Sequence, residues 1–224
     1  MEDPKVVYVL DDDAEARASL ATVVQSLGYP AVEFDSAESF LEQFDPASRG
    51  CVVSDVHMGG ISGVELVQRL QERDLNLPVI VVTGFADIRL AVSAMQSGAI
   101  TFLEKVGRPG EIAEAIQMAM AQEEVRHQEV AERDSYRQRI ESLSADEREV
   151  LVRVLDGKPN KVIKKELDIG LRTAELRRAN VMRKMGARSL AELVRMTLVA
   201  GIMTAAPIPE MCEMPVQQQQ ARAS

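Results

Sequence analysis

Five short runs rich in β-branched residues alternate with amphipathic stretches in the first half of the chain, and this alternation strongly constrains the fold. The runs read KVVYVL, AVEF, CVVSD, PVIVVT and ITFLE. Helix-like segments lie between them, near residues 14–27, 36–44, 62–73 and 87–97. Strands that alternate with helices form parallel sheets that are covered by helices on both faces. We therefore predict an α/β fold for this half, with five parallel strands in a doubly wound, flavodoxin-like arrangement.

The pattern changes in the second half of the chain. Residues 111–140 contain no Gly or Pro and begin with apolar residues at helical spacing, which predicts one long, continuous helix. Only short helical segments follow, each ending in glycine, and they predict an all-α domain. The predicted boundaries are 1–121 for the α/β domain, 122–142 for a helical linker continuous with its last helix, 143–202 for the all-α domain and 203–224 for a disordered tail.

Charge is divided unevenly between the two halves. Residues 1–121 hold 19 acidic and 8 basic side chains, a net charge of −11, whereas residues 142–203 hold 8 acidic and 13 basic ones, a net charge of +5. The basic half suits a polyanion, and the acidic half suits either a divalent cation or the basic half of the same chain. No apolar run reaches the roughly 18 residues that cross a membrane, and the start MEDPK does not resemble a signal peptide. We expect a cytoplasmic protein without a membrane partner.

Chemically reactive side chains lie where four of the predicted strands end. Asp11 and Asp12 follow the first strand, Asp55 ends the third, Thr83 the fourth, and Lys105 follows the fifth. In a parallel sheet these ends meet at one edge, where oxygen ligands can hold Mg²⁺. A carboxylate beside such an ion and an ammonium group can attack a phosphoryl donor, because the cations neutralise charge on the transferred group. The pattern predicts Asp55 as the nucleophile, with Lys105 and Thr83 contacting the phosphoryl oxygens.

The segments that carry these residues resemble the receiver domain of bacterial two-component response regulators, over about residues 5–120. They read VYVLDDDAEARASL, VVSDVHMGGISGVEL, VIVVTGFAD and AITFLEK. The resemblance implies a sensor histidine kinase as phosphoryl donor to Asp55, and Mg²⁺ as cofactor, held by Asp11, Asp12 and Asp55. A magnesium site would use the backbone carbonyl of His57 rather than its ring. The resemblance also implies that Phe102 is a switch aromatic, which turns inward when the threonine engages the phosphoryl group.

Two positions depart from the receiver pattern. Val106 follows Lys105, where receivers usually have proline, often with a cis peptide bond. Gly59 and Gly60 follow Met58, where the family commonly has a proline after the methionine. Our hypothesis is that the site still accepts a phosphoryl group, but that its loops are more mobile and that its lifetime or switching is altered.

Two other functions are open at this point. The departures are compatible with an atypical receiver that regulates transcription through protein contacts without phosphorylation. Magnesium binding without phosphoryl transfer would favour that interpretation. More remotely, Asp11-x-Asp13 after the first strand also resembles the start of haloacid-dehalogenase phosphatases, in which Asp11 rather than Asp55 would be the nucleophile. A phosphatase assay separates that enzyme from a regulator.

Basic side chains are concentrated in NKVIKKELDIG and LRTAELRRANVMRKMG, two predicted helices joined by a tight turn. That geometry lays a second helix in the major groove of DNA. The second helix is predicted to turn Leu176, Val181 and Met185 towards the core. The segment resembles the LuxR-type helix-turn-helix, closest to its FixJ-like branch, over about residues 143–200. The residues predicted to contact DNA are Lys161, Thr173, Arg177, Arg178 and Lys184.

Taken together, these features predict a phosphorylation-regulated, DNA-binding transcriptional regulator of a two-component system, and not an enzyme. The expected partners are the sensor histidine kinase, double-stranded DNA and, after phosphorylation, a second copy of the chain.

Overall fold

A computed structural model describes residues 4–85, 87–108 and 110–202, so that the predicted tail lies outside the described residues. The contacts divide the chain into two compact units, Met1–Gln128 and Glu129–Ser224. The strands are β1 Val6–Leu10, β2 Ala31–Phe34, β3 Gly50–Asp55, β4 Val79–Thr83 and β5 Thr101–Glu104. The helices are α1 Ala14–Ser26, α2 Ala37–Gln43, α3 Gly63–Glu72, α4 Ile88–Gln96, α5 Glu111–Glu141, α6 Ala145–Leu155, α7 Asn160–Glu166, α8 Leu171–Met185 and α9 Leu190–Val199.

The first unit is built on one parallel sheet with the strand order β2-β1-β3-β4-β5. Alternate residues of each central strand point to opposite faces of the sheet. Val52 and Val81 pack on one face with residues of α2, α3 and α4, whereas Val53 and Ile80 pack on the other with residues of α1 and α5. Every residue of β3 is buried, which explains why this strand has no polar alternation in the sequence.

Side-chain caps at the helix starts place the loops that form the candidate site. The carboxylate of Asp13 accepts hydrogen bonds from the first backbone amides of α1. Ser36 caps α2 and Ser62 caps α3 in the same way, so both helices begin at the edge where the strands end. Such caps satisfy backbone amides that have no partner inside the helix.

A buried ion pair joins α5 to the residue before β3. Arg49 binds Glu123 through two contacts, Nε to Oε1 and Nη2 to Oε2, each of 3.1 Å. Only 6% of the Arg49 side chain is exposed, and the Glu123 side chain is fully buried. Arg49 Nη2 also lies 2.9 Å from Glu124, which in turn lies 2.6 Å from Lys5 at the surface. The pair therefore anchors α5 at the end of the sheet opposite to the carboxyl ends of its strands.

The second unit is all-helical. The last part of α5 contributes Tyr136 and Ile140 to a core that also contains Val150 of α6, Ile163 of α7 and Leu193 of α9. The parallel sheet, the long helix α5 and the helical second unit confirm the predicted fold class. Within the described ranges, none of the helices combines the length and the apolar character needed to span a bilayer.

Candidate functional site

The carboxyl ends of β1, β3 and β5 bring two acidic side chains and one basic side chain together. Lys105 Nζ lies 2.6 Å from Asp11 Oδ2 and 3.1 Å from Asp55 Oδ1. Asp11 is fully buried and Asp55 is 5% exposed, whereas Asp12 beside them is exposed. These residues are distant in sequence, but they meet because parallel strands place their ends at one edge of the sheet.

Neighbouring residues hold the Asp11 carboxylate and backbone in place. Asp11 Oδ1 accepts a hydrogen bond of 3.1 Å from the amide of Asp13. The guanidinium of Arg17 donates to the carbonyl oxygen of Asp11 at 2.6 Å and lies 3.5 Å from the carboxylate of Glu33. Arg17 was not among the predicted site residues, because nothing in the sequence distinguishes it from an ordinary exposed arginine at the start of a helix.

Burial and charge pairing act in opposite directions on the protonation of this cluster. Burial is the largest influence on Asp11 and raises the pKa of its carboxyl group, although the hydrogen bond from Lys105 opposes the rise. Burial alone would lower the pKa of Lys105, but its hydrogen bonds with Asp11 and Asp55 outweigh this, so that the pKa of the ammonium group is raised. Lys105 stays charged, and one ammonium faces more than one carboxylate. Such an imbalance favours binding of a further cation.

The donor set fits a magnesium ion. One carboxylate oxygen each from Asp11, Asp12 and Asp55 lies within 4.8 Å of the others. Asp11 Oδ2 is buried, and among the described residues only the Lys105 ammonium group, 2.6 Å away, compensates its charge. A hard cation that is bound by oxygen atoms satisfies such an atom.

The two predicted switch residues lie on β4, the strand next to Asp55, and on β5, one strand further away. Thr83 ends β4 and is fully buried. Its hydroxyl donates to the carbonyl oxygen of Phe85 at 3.1 Å and accepts from the Phe85 amide at 3.3 Å. Phe102 lies on β5 opposite Val81 and packs, partly buried, against the core on one face of the sheet. In this structure the hydroxyl is therefore engaged with its own loop.

The five basic-region residues predicted at DNA are held in different ways. Lys161 on α7 and Thr173 on α8 are exposed. Arg177 forms an ion pair with Asp146, and Arg178 donates to the side chain of Asn160 and the carbonyl oxygen of Lys158. Lys184 lies 2.6 Å from Glu147, whose carboxylate also accepts from the Ser144 amide in the capping box of α6.

The prediction that Leu176 faces the core is wrong. Leu176 is 62% exposed, whereas Ala174, Val181 and Met185 are buried. Ala174, Val181 and Met185 follow one another at helical spacing and form the buried stripe of α8. Leu176 lies on the opposite side of the helix from Met185, so the larger residue was the wrong choice for the inward position.

Comparison with known proteins identifies both units. A family profile described as the response regulator receiver domain matches residues 7–117, and one described as bacterial regulatory proteins of the luxR family matches residues 141–197. Over 197 residues the chain is 42% identical to the transcriptional regulatory protein FixJ of Bradyrhizobium diazoefficiens, with 88% of this chain and 96% of that protein covered. The chain belongs to the FixJ-like response regulators. It therefore regulates transcription under the control of phosphorylation, through a receiver domain and a LuxR-type DNA-binding domain.

Other relatives agree with this membership. This chain is 44% identical to the transcriptional regulatory protein FixJ of Azorhizobium caulinodans over 196 residues, which cover 88% of this chain and 93% of that protein. Among solved structures, the response regulator StyR has a TM-score of 0.78 at 35% identity, with 87% of this chain and 98% of that chain covered. Full-length FixJ from B. japonicum has a TM-score of 0.54 at 41% identity, with 90% of this chain and all of that chain covered. The predicted family is confirmed.

Proposed function

We propose that Asp55 is the residue that accepts the phosphoryl group in this response regulator. The observation that carries the proposal is the position of Lys105, whose ammonium group lies between the carboxylates of Asp55 and Asp11. Asp55 lies at the end of the central strand β3 and is nearly buried, so that a transferred group would be held at the sheet edge against this ammonium. The proposed donor is a sensor histidine kinase.

The transfer of the phosphoryl group to the Asp55 carboxylate needs no proton acceptor. A carboxylate oxygen of Asp55 forms a bond to phosphorus while the bond between phosphorus and the donor atom breaks, and the leaving group keeps that electron pair. Lys105 stabilises the negative charge on the phosphoryl oxygens, because its ammonium already lies within contact distance of Asp55. We propose that Asp11, Asp12, Asp55 and the backbone carbonyl of His57 hold Mg²⁺. The bound ion would neutralise charge on the phosphoryl group.

Mass spectrometry of the full-length chain tests this assignment. After incubation with acetyl phosphate and Mg²⁺, the chain is expected to gain the mass of one phosphoryl group, and peptide mapping should place that group on Asp55. A sample without the donor is the control. Phosphorylation of another residue would overturn the assignment, and so would Mg²⁺ binding without any gain in mass.

The signal is proposed to leave the site through Thr83 and Phe102. To donate to a phosphoryl oxygen, the Thr83 hydroxyl must release the carbonyl oxygen of Phe85. Phe102 then turns further into the core, and the receiver pairs with a second copy of the chain. In this scheme the phosphorylated homodimer binds double-stranded DNA in the cytoplasm, and the protein is a regulator rather than an enzyme.

All five predicted basic-region residues are proposed to lie at the DNA, but Lys161 and Lys184 are expected to respond differently to replacement. Lys161→Met should weaken binding to any duplex and lower the slope of log affinity against log salt concentration by about one, because one phosphate contact is lost. Lys184→Met should also lower the free energy of unfolding of this domain by about 2 kcal/mol. It removes the charged partner of Glu147, whose side chain is 8% exposed.

Gel-shift assays over a salt series measure the first effect, and hydrogen exchange at the buried Val150 amide in the full-length chain measures the second. Lys165→Met removes another exposed lysine from α7, and its stability can be compared with that of Lys161→Met. Equal stability of the Lys161→Met and Lys184→Met variants would contradict the distinction between them.

Leu176 is expected to read a base rather than to stabilise the core. It lies on the exposed side of α8, one turn after Arg172 and next to Glu175, where an apolar side chain can contact the methyl group of thymine. Duplexes that bind tightly can first be selected from a random library with the wild-type chain. Leu176→Ala should lower the affinity for these duplexes by about tenfold, a loss comparable to that from one mismatched base pair. Replacing thymine by uracil in those duplexes should weaken the wild-type chain at one position and leave the variant unaffected there.

Val152→Ala is the matched control for Leu176, because Val152 is 55% exposed on a different helix, α6. It should leave both the affinity and the response to uracil unchanged. If the variant at Leu176 keeps the same thymine preference as the wild type, the base-reading role is wrong.

A further inference from the structure

The loop between β3 and α3, residues 56–62, follows a course that a family-typical sequence could not take. Gly59 has φ +67°, in the left-handed region, where the ring of proline cannot go because it holds φ near about −65°. The family commonly has proline after the methionine of this loop, whereas this chain has a glycine there in a conformation that proline cannot adopt. Met58 and Ile61 are both buried, and the two residues between them, Gly59 and Gly60, have no side chain that could anchor the loop.

Glu38, the second residue of α2, binds this loop from the side. Its Oε1 accepts a hydrogen bond of 2.8 Å from the amide of Ile61. Its Oε2 is buried and has no hydrogen-bond partner in the part of the chain that the structure describes. A buried carboxylate is costly to desolvate, so the bond from the Ile61 amide contributes to holding it in this position.

Gly60 leaves the space that this contact needs. A Cβ atom at Gly60 would lie 2.4 Å from Glu38 Oε1 and 3.1 Å from the carboxylate carbon, so the end of the Glu38 side chain would have to move away. The carboxylate therefore occupies the position that any side chain at residue 60 would take. Glu38 and Gly60 therefore depend on each other. The absence of a side chain at Gly60 leaves space for the carboxylate, and the carboxylate holds the loop that contains the glycine.

The same loop is bonded to the proposed phosphoacceptor. The amide of His57 donates to Asp55 Oδ2 at 3.0 Å, and the amide of Gly63, which begins α3, donates to the carbonyl oxygen of Val56 at 3.2 Å. A shift of Ile61 is thus transmitted along a short loop to the amide and the carbonyl of His57. Outer-shell groups of this kind commonly change metal affinity or activity by about 10- to 100-fold when they are removed.

We infer that Glu38 is a positioning residue for phosphoryl transfer at Asp55, acting as a latch on Ile61 that replaces the rigidity of the missing proline. The inference rests on the proposed phosphorylation of Asp55. It reverses one expectation from the sequence, because the two glycines then belong to a held loop rather than to a loosened one. Loss of the latch should raise the Mg²⁺ concentration required for half-maximal phosphorylation, and should slow phosphorylation at saturating Mg²⁺ to a smaller extent.

The test compares Glu38→Ala, Glu38→Gln and Gly60→Ala in the full-length chain, with acetyl phosphate as donor. Glu38→Ala and Gly60→Ala should each slow phosphorylation at a fixed low Mg²⁺ concentration by about tenfold. Glu38→Gln should restore most of the rate, because its amide oxygen can still accept from Ile61. In the Glu38→Ala background, Gly60→Ala should have little further effect, because the collision with the carboxylate is gone. Glu42→Ala, one turn later on α2 and exposed, is the control.

Two readouts separate the latch from general stability. Hydrogen exchange of the Ile61 amide should speed up in Glu38→Ala but not in Glu38→Gln, and Mg²⁺ titration followed by the NMR signals of the His57 and Gly59 amides should show weaker binding. Wild-type Mg²⁺ dependence in Glu38→Ala, combined with fast Ile61 exchange, would overturn the inference. Should Glu38→Ala fail to fold, Gly60→Ala and Glu38→Gln give the same decision. Absence of phosphorylation in the wild type would instead contradict the proposed function.

Discussion

Replacing Asp55 with asparagine is expected to abolish phosphorylation by acetyl phosphate, apart from the low level at which other side chains react. The amide has no nucleophilic carboxylate oxygen, yet it has the same size and its oxygen can still accept from the His57 amide, which lies 3.0 Å from Asp55 Oδ2. Lys105 keeps its contact of 2.6 Å with Asp11, so that the ammonium group is not left unpaired. The fold should therefore persist while the chemistry is lost.

Intact mass and DNA binding measure this loss in parallel. The Asp55→Asn chain should gain no phosphoryl mass, and its affinity for DNA should be the same with and without acetyl phosphate. Asp45→Asn, at an exposed loop aspartate of the same unit, serves as the control and should behave like the wild type. A full mass gain in Asp55→Asn would place the acceptor elsewhere, with Asp12 as the next residue to map.

The second large effect is expected in stability, from Glu123→Ala. Removing this carboxylate leaves the Arg49 guanidinium, 6% exposed, with only its contact of 2.9 Å to Glu124. An unpaired buried charge typically costs about 3–5 kcal/mol, and the remaining contact puts the expected loss near the lower end of that range. The hydrogen bonds that Arg49 donates to Glu123 are the main reason why the pKa of Arg49 is raised in the wild type. In the variant the guanidinium still keeps its charge, because arginine does not lose its proton in proteins.

Glu124→Ala is the matched control on the next residue of the same helix. Glu124 is 37% exposed, and surface pairs of this kind contribute about 0–1 kcal/mol. Replacing both partners, as Arg49→Met with Glu123→Leu, should cost less than Glu123→Ala alone, because no charge is left buried. Native-state hydrogen exchange of the buried Val53 amide in the full-length chain reports the free energy of unfolding. Equal losses in Glu123→Ala and Glu124→Ala would contradict a special role for the buried pair.

Local sequence patterns were sufficient for the elements and for the centre of the site. Alternation of β-branched runs with amphipathic stretches predicted the parallel sheet, because strand and helix periodicities differ and each shows within a few residues. Asp11, Asp12, Asp55 and Lys105 could be placed together without coordinates, since all parallel strands end at one edge. Serine caps, such as Ser144 before α6, marked the starts of helices because a cap is a contact over only a few residues.

The long-range contacts that hold these groups depended on the tertiary structure. Arg49 and Glu123 are 74 positions apart in the sequence, and Glu38 and Ile61 are 23 positions apart. The residues around each of them do not indicate which distant residue it contacts. The neighbouring helices decide which side of α8 is covered, and they bury Ala174 and leave Leu176 exposed. Sequence by itself determined which groups the strand ends present. Only packing decided how they are held, since a side chain's partner is set by geometry across elements and not by the residues beside it.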